Sequence, residues 1–314
     1  MTGIDDVVDI LLESPRTLFT TLDAHSGYHS ISIRPQDREL TTFVVPSGSY
    51  CFNRLPFGVS TAVQTYSLLL SIILRKLSFR SCISYLDDII IMSNGVAKHL
   101  EDVQEVFNRI RGSNLKLHPK KCSFFQDKVR FLGYEISAQG LHTDPEKLKI
   151  IRDWKPPTDL KSLRACLGYF NFYRRFVPNY SIYVAPLTHL LCNNVKWEWT
   201  PECQTAFITL RDAMLNAPPL GVPDFKREFY LSTDASSFSI SWILEQKDDS
   251  GNFRNLGAGG RGLFPREQRF STIEREALSI VESVKYFRVY LAHKIFTIKN
   301  DHRGLSCLTQ DVKR

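Results

Sequence analysis

The sequence predicts an α+β fold divided into more than one domain. Three observations carry this. The chain has 314 residues, more than one hydrophobic core usually covers. Short β-branched, aromatic runs alternate with longer amphipathic ones through its first part. Two proline-rich stretches, "KPPTDL" at 155–160 and "NAPPLGVPDF" at 216–225, set off a helical middle. The expected division is 1–142, 143–218 and 219–314.

The elements follow in order. "IDDVVDILLESP" reads as an amphipathic helix stopped near Pro15, and "TLFTTLD" as a strand over 17–23 ending at Asp23. "TTFVV", "PSGS" and "YCF" predict a hairpin with Gly48 in its turn. "STAVQTYSLLLSIILRKL" is a helix capped by Ser60 or Thr61. "CISYLDDIIIM" gives two short apolar strands around an acidic pair. "HLEDVQEVFNRIRGSNL" is a helix stopped at Gly112, and "VRFLGYEIS" one further strand. This order suits an antiparallel sheet with helices on one face. In the middle, Leu163, Leu167, Phe170, Tyr173 and Val177 recur at helical spacing beside Lys161, Arg164, Arg174 and Arg175. Then come strands at 229–233 and 238–244, a glycine-rich stretch, a helix at 272–291 and a strand at 294–300.

Composition narrows the class. The apolar fraction of 43% is consistent with a folded core, and the net charge of +7 favours a polyanionic partner. The seven cysteines contain no CxxC pair, so neither a zinc site nor a disulfide framework is expected, and a reducing compartment fits. No apolar run reaches membrane-spanning length, the N-terminus has no secretory-leader pattern, and no membrane partner is expected.

"SYLDDIIIMS" puts Asp87 and Asp88 inside an apolar run. Taken alone, an Asp-Asp pair is as a rule a solvated turn. A tight hairpin would bury its apolar arms and leave the carboxylates at an accessible tip, and Asp23 ends a strand that could lie alongside. Three carboxylates at one place repel one another unless a cation lies between them. Hard oxygen ligands suit Mg²⁺, with Mn²⁺ as a substitute. Two such ions about 4 Å apart support phosphoryl transfer. Tyr85 stands two before Asp87, on the same face of a strand, and Tyr28 five after Asp23.

"TTLDAHSGYHSISI", "RLPFGVSTA", "SYLDDIIIMS", "LKLHPKKCSFFQDKVRFLGYEIS" and "LRACLGYFNFYRRFVPNYS" occur in that order. Together they resemble the reverse transcriptase of gypsy-class LTR retrotransposons. The resemblance implies a polymerase palm, a helical thumb or connection, and a partial RNase H-like α/β domain. It implies that Asp23 and Asp87 hold the catalytic metals and that Asp88 completes the acidic tip. Tyr28 matches the steric gate that rejects a ribose 2′-hydroxyl, although core packing is an equal reading of that residue. Pro56, Phe57 and Gly58 match the template-and-nucleotide loop, with Tyr85 beside the acids, and Phe131, Leu132 and Gly133 match the primer grip. Lys120 or Lys121 either neutralises the leaving pyrophosphate or is simply solvated. Arg164, Arg174 and Arg175 would grip phosphates without reading sequence. The implied partners are an RNA or DNA template with its primer and deoxynucleoside triphosphates, in an intracellular setting, cytoplasmic particle or nucleus.

A second set of acids follows. "YLSTDAS" leaves Asp234 at a strand end, and "IFTIKND" ends at Asp301. Ser271 and Glu274 form an S-x-x-E capping box, so Glu274 has a structural task. Glu276 falls at the edge of the apolar stripe containing Ile273 and Ile280, which is expected to face the sheet. Asp234, Glu276 and Asp301 resemble the first three acids of a retroviral-type RNase H, a two-metal site for cleaving the RNA of a hybrid; alone they read equally as surface acids.

Several features depart from the family. Its blocks align from near the end of the fingers region to short of the fourth RNase H carboxylate, so truncation at both ends is expected. Thr61, Val63 and Ser67 stand where the family has Asn, Pro and Gln. Ser239, Ser241 and Trp242 replace small glycines, and "LGAGGRG" replaces an apolar strand, so the RNase H strands are expected to be weakened. The G-x-G-x-x-G at 257–262 lacks the setting of a dinucleotide site. The leading reading is an RNA-directed DNA polymerase with an incomplete RNase H domain. The rival is a decayed or domesticated remnant that binds nucleic acid without catalysis.

Overall fold

The computed structural model describes residues 4–12, 16–113, 115–193 and 195–300, and the chain divides into two compact units, 1–138 and 139–314. No helix among the described residues is long and apolar enough to cross a membrane.

The first unit begins with α1 (Ile4–Leu12), whose Val7, Val8, Leu11 and Leu12 are buried, and β1 (Leu18–Asp23). A small hairpin, β2 (Phe43–Val45) and β3 (Gly48–Tyr50), precedes α2 (Ala62–Ile73). Gly48 is the first residue of β3, paired with Val45, and the turn itself is Pro46–Ser47. Next come β4 (Cys82–Tyr85), β5 (Asp88–Ser93) and α3 (Val96–Gly112). The unit closes with β6 (Ser123–Gln126), β7 (Lys128–Phe131) and β8 (Tyr134–Ser137).

The central sheet has the order β4-β5-β1-β6, antiparallel throughout. Leu22, Cys82, Ile89 and Ile91 form one core with Tyr66 and Leu70 of α2 and Val103, Val106 and Ile110 of α3. β5 is buried along Ile89 to Ser93, which is why it reads as a continuous apolar run. The segment "VRFLGYEIS" is two strands, not one. Leu132 (φ 51°) and Gly133 (φ 80°) form a two-residue turn that brings Phe131 opposite Tyr134. Both turn residues have the positive φ that such tight hairpins require. Leucine is an unusual residue to find there, which hid the turn from the sequence.

One polar network lies inside this core. His99 of α3 is wholly buried. Its Nε2 is 2.7 Å from Thr20 Oγ1 on β1 and its Nδ1 is 3.1 Å from Ser93 Oγ on β5. Ser93 Oγ donates to Asp102 Oδ2 at 2.6 Å, and Lys98 Nζ pairs with Asp102 Oδ1 at 3.0 Å. Burial pushes the His99 pKa below 6.5, with the Asp102 charge opposing. The folded protein therefore holds a neutral imidazole, while below about 6.5 the unfolded chain takes up a proton that the folded one does not. The stability that neutral His99 contributes is fully present above that pH and is lost as pH falls from it through the folded pKa. Denaturant midpoints measured from pH 8 to pH 5 should fall over this window. A His99→Gln variant, although less stable, should remove that part of the slope; an equal slope in the variant would exclude His99 as its source.

The second unit contains β9 (Gly140–Thr143), α4 (Pro145–Asp153), α5 (Leu160–Phe172), α6 (Tyr180–His189) and α7 (Pro201–Leu215). Asp159 caps α5 in a capping box with Ser162, and Leu163, Leu167 and Phe170 are buried on it, as their spacing requires; Tyr173 and Val177 are buried too, but they lie beyond the end of the helix, on either side of a short turn at Arg174–Phe176. The rest is a four-stranded sheet and its helices. These are β10 (Phe229–Ala235), β11 (Ser239–Lys247), β12 (Phe253–Gly262), α8 (Thr272–Tyr286), α9 (Arg288–Leu291) and β13 (Phe296–Lys299). The order is β12-β11-β10-β13, with β13 parallel to β10.

Two expectations are corrected here. The glycine-rich stretch is not a damaged strand: β12 pairs with β11 from Phe253 to Gly262. Trp242 lies opposite Gly259, and a Cβ on Gly259 would overlap the indole. The bulky Trp and the missing side chain are complementary halves of one contact. The G-x-G-x-x-G run lies wholly within this strand and forms no phosphate loop. In addition, α8 does not bury the stripe containing Ile273, which is 43% exposed. It buries Glu276, Ser279 and Ser283. The serine hydroxyls donate to Glu276 O and Ile280 O of their own helix, so these small residues enter the core with their polarity satisfied.

Candidate polymerase site and candidate RNase H-like site

The hairpin β4–β5 closes through two residues, Leu86 and Asp87, with Tyr85 opposite Asp88. Leu86 has φ 53°, a left-handed conformation costly for a bulky side chain. That tight reversal leaves Asp87 at the tip and makes Asp88 the first residue of β5. β1 lies beside β5, so Asp23 is the register partner of Asp88. Ala24 N donates to Asp87 O at 3.0 Å, strapping the tip to the chain just after Asp23. The three predicted acids thus share one end of the sheet.

The charges are partly compensated. Burial, then the Asp23 charge, pushes the Asp87 pKa up, and Tyr66 and Lys121 oppose it. Partial desolvation, then Asp23 and Asp87, pushes Asp88 up, although its residue surface is exposed. Lys121 Nζ lies 3.3 Å from Asp23 Oδ2. The backbone explains why: His118 N donates to Asp23 O at 2.9 Å, and the helical turn Pro119–Lys121 that follows carries the ammonium over the carboxylate. Of the two lysines left open by the sequence, Lys121 is the one beside the acids; Lys120 is exposed.

These residues fit a hard divalent cation. Asp87 Oδ1 is buried without a hydrogen-bond partner, the Asp23 charge helps to raise the pKa of both Asp87 and Asp88, and a lysine ammonium already pairs with Asp23. Among the described residues no three His, Cys, Asp or Glu side chains form a ready-made cage. Mg²⁺ needs none, because it takes one or two carboxylates together with waters and substrate phosphates. Reverse transcriptase and RNase H-like domains are in general divalent-metal dependent.

Around the acids lie aromatic rings. Tyr28 is half-buried, 5.2 Å between centroids from Phe57 and 5.2 Å from Tyr66, and burial, then Asp87, raises its pKa. Phe57 is 69% exposed, while Pro56 before it is buried and Gly58 after it has φ 90°. Tyr85 is half-buried opposite Asp88. Tyr66 gives no signal in the sequence: it sits on the buried face of a helix and belongs to none of the five motif blocks.

In the second unit Asp234 is exposed near the end of β10. Glu276 is buried, not a surface acid, and Asn300 Nδ2 donates to its Oε2 at 2.9 Å and to Thr233 Oγ1 at 3.1 Å. Asn300 follows β13 and so ties Glu276 of α8 to the residue before Asp234; no motif pointed to it. Asp301 lies outside the described residues. Glu274 closes the capping box on Ser271, as its spacing predicts. Of the predicted basic residues, Arg164 is exposed on α5 and Arg174 Nη1 donates to Asn171 Oδ1 at 3.1 Å. Arg175 is buried, which removes it from any open phosphate-gripping surface.

Residues 3–136 match the family described as reverse transcriptase (RNA-dependent DNA polymerase), and residues 199–298 the RNase H-like domain found in reverse transcriptase. The chain is 37% identical over 305 residues to the retrovirus-related Pol polyprotein from transposon 412 of Drosophila melanogaster, covering 97% of this chain and 24% of that protein. It is 33% identical over 291 residues to the transposon Tf2-3 polyprotein of Schizosaccharomyces pombe, covering 92% of this chain and 22% of that one. The chain thus spans about a quarter of the length of these relatives. Its fold is that of the foamy viral protease-reverse transcriptase solved with dsDNA, at TM-score 0.82 and 21% identity, over 98% of this chain and 65% of that one. The same viral protein solved with an RNA/DNA hybrid gives TM-score 0.78 at 21% identity, over 93% of this chain and 39% of that one.

Proposed function

Because this chain carries a reverse transcriptase domain and an RNase H-like domain, and its homologues are Pol polyproteins of gypsy-class LTR retrotransposons, we propose that it extends a primer on an RNA or DNA template with deoxynucleoside triphosphates. The observation that carries this reading is the register of Asp23 opposite Asp88, with Asp87 at the tip of a strained two-residue turn. Asp23 and Asp87 would hold Mg²⁺, which when bound supplies a Lewis acid for the primer hydroxyl and for the charge of the leaving pyrophosphate.

The chain's own residues do the rest. Lys121, already paired with Asp23, is an exposed cation within reach of developing negative charge. Phe57 offers an open aromatic face on which a base can stack. Tyr28, braced by Phe57 and Tyr66, presents a ring where a ribose 2′-hydroxyl would collide. Arg164 and Arg174 hold template and primer phosphates without sequence readout. In this reading residues 1–142 are the partial fingers and palm, 143–218 the thumb or connection, and 219–314 the RNase H-like domain. Asp234 and Glu276, with Asp301 beyond the described residues, are its candidate hybrid-cleaving acids.

The test is primer extension on an RNA template with Mg²⁺ and deoxynucleotides. Extension that stops on chelation of the metal supports the reading. A folded chain that binds primer–template yet extends nothing would leave the nucleic-acid-binding remnant as its function. Tyr28→Ala should raise ribonucleotide incorporation relative to deoxynucleotide by about 10- to 100-fold, the range open to a shape contact of this kind. Unchanged discrimination would return Tyr28 to a packing role.

A further inference from the structure

Tyr66 is wholly buried on α2. Its ring presses on the backbone of Gly27, where an added Cβ would lie 2.5 Å from both Cζ and the hydroxyl oxygen. Tyr28 covers another side, at 5.2 Å between centroids. A ring clamped in this way cannot turn its hydroxyl out to water. That hydroxyl nevertheless makes no hydrogen bond, and neither does the buried Asp87 Oδ1. Tyr66 packs in one core with Leu22, Ala24 and Ile89, the residues that flank Asp23 and follow Asp88, and Ala24 N donates to the Asp87 carbonyl at 3.0 Å. The Asp87 charge and its acceptor oxygen help to raise the phenol's pKa, and the phenol in turn lowers that of Asp87.

A phenol has one proton to donate, and an ionised carboxylate only accepts. Aligning them needs a rotation of the hydroxyl and of the broad terminal torsion of Asp87, both soft motions. Hydrogen bonds in active sites are often loose before substrate binds and tighten afterwards. We propose that Tyr66 is a positioning residue whose hydroxyl donates to the inner oxygen, Oδ1, of Asp87 in the assembled site, leaving the outer oxygen turned toward the cation. The proposal rests on the reading of Asp87 as a metal-holding carboxylate. A tyrosine serving only to fill the core would be better replaced by phenylalanine, since the buried hydroxyl would then be a burden. Gly27 has a matching role: only a residue without Cβ lets the ring reach the tip.

The experiment compares the full chain with Tyr66→Phe and Asp87→Asn, each bound to primer–template. Mn²⁺ binding is followed by electron paramagnetic resonance, alongside kcat, the deoxynucleotide KM and the thermal midpoint. Differences from the parent isolate this site from other Mn²⁺ sites. Tyr66→Phe is expected to weaken Mn²⁺ binding and lower kcat, each by about tenfold, the scale of one hydrogen bond to a charged group. The KM should stay within about twofold, and the thermal midpoint should not fall. A Tyr66→Phe chain that binds Mn²⁺ and turns over like the parent, while Asp87→Asn does not, overturns the role of Tyr66 alone. If Asp87→Asn also leaves Mn²⁺ binding unchanged, the reading of Asp87 fails and the proposal fails with it.

Discussion

Asp87→Asn should reduce primer extension by about 10³-fold or more. Removing one of two carboxylates that hold the cation forfeits several kcal/mol of transition-state charge stabilisation, and each 1.36 kcal/mol is a factor of ten in rate. The same change should not harm the fold. Asp87 is held above its ordinary pKa by burial and by Asp23, so its ionised form destabilises the folded chain without metal. An amide removes that repulsion and keeps the size. The thermal midpoint of the variant without metal should therefore match or exceed that of the parent, while primer–template affinity changes little. Loss of activity together with gained or equal stability is the pattern of a site kept for chemistry at the expense of stability. A variant that extends primers at the parental rate would show that the acidic tip is not the polymerase centre.

Gly259→Ala should destabilise the second unit by about 1–3 kcal/mol, the usual result of forcing an extra carbon into a packed core. The added Cβ would overlap the Trp242 indole, a rigid ring backed by Tyr286 at 5.6 Å between centroids. Trp242→Leu alone should also destabilise, by leaving a cavity. Combined, the two changes should cost less than their sum, with a coupling of about 0.5–3 kcal/mol in a denaturant double-mutant cycle. Strict additivity would mean that the ring and the glycine are not complementary.

Local signals are enough for much of this protein. The apolar arms around Asp87 and Asp88 can bury only as hairpin strands, so an acidic tip is legible in the chain itself. The strand ending at Asp23, the Ser271–Glu274 capping box and the buried spacing of Leu163, Leu167 and Phe170 each depend on residues within a few positions of one another. The ordered motif blocks do the same for family and fold class.

What the tertiary structure decided are relations between distant residues that leave no local trace. Asp23 opposite Asp88 is a strand register. The choice of Lys121 over Lys120 depends on His118 bonding to Asp23. Tyr66 matters because Gly27 makes room for its ring beside Asp87. Asn300 emerges only where β13 runs beside β10 and faces α8. Trp242 and the glycines of β12 look like separate flaws because each breaks a local rule of strand composition; across the register each supplies what the other lacks. In the same way α8 turns its serines inward, against its hydrophobic pattern. Close approach to a sheet favours small volume, and the helix's own carbonyls satisfy the hydroxyls. Periodicity and caps follow from backbone geometry within one or two turns of chain. Volume and charge are balanced across contacts, and a sequence does not announce which residues will meet.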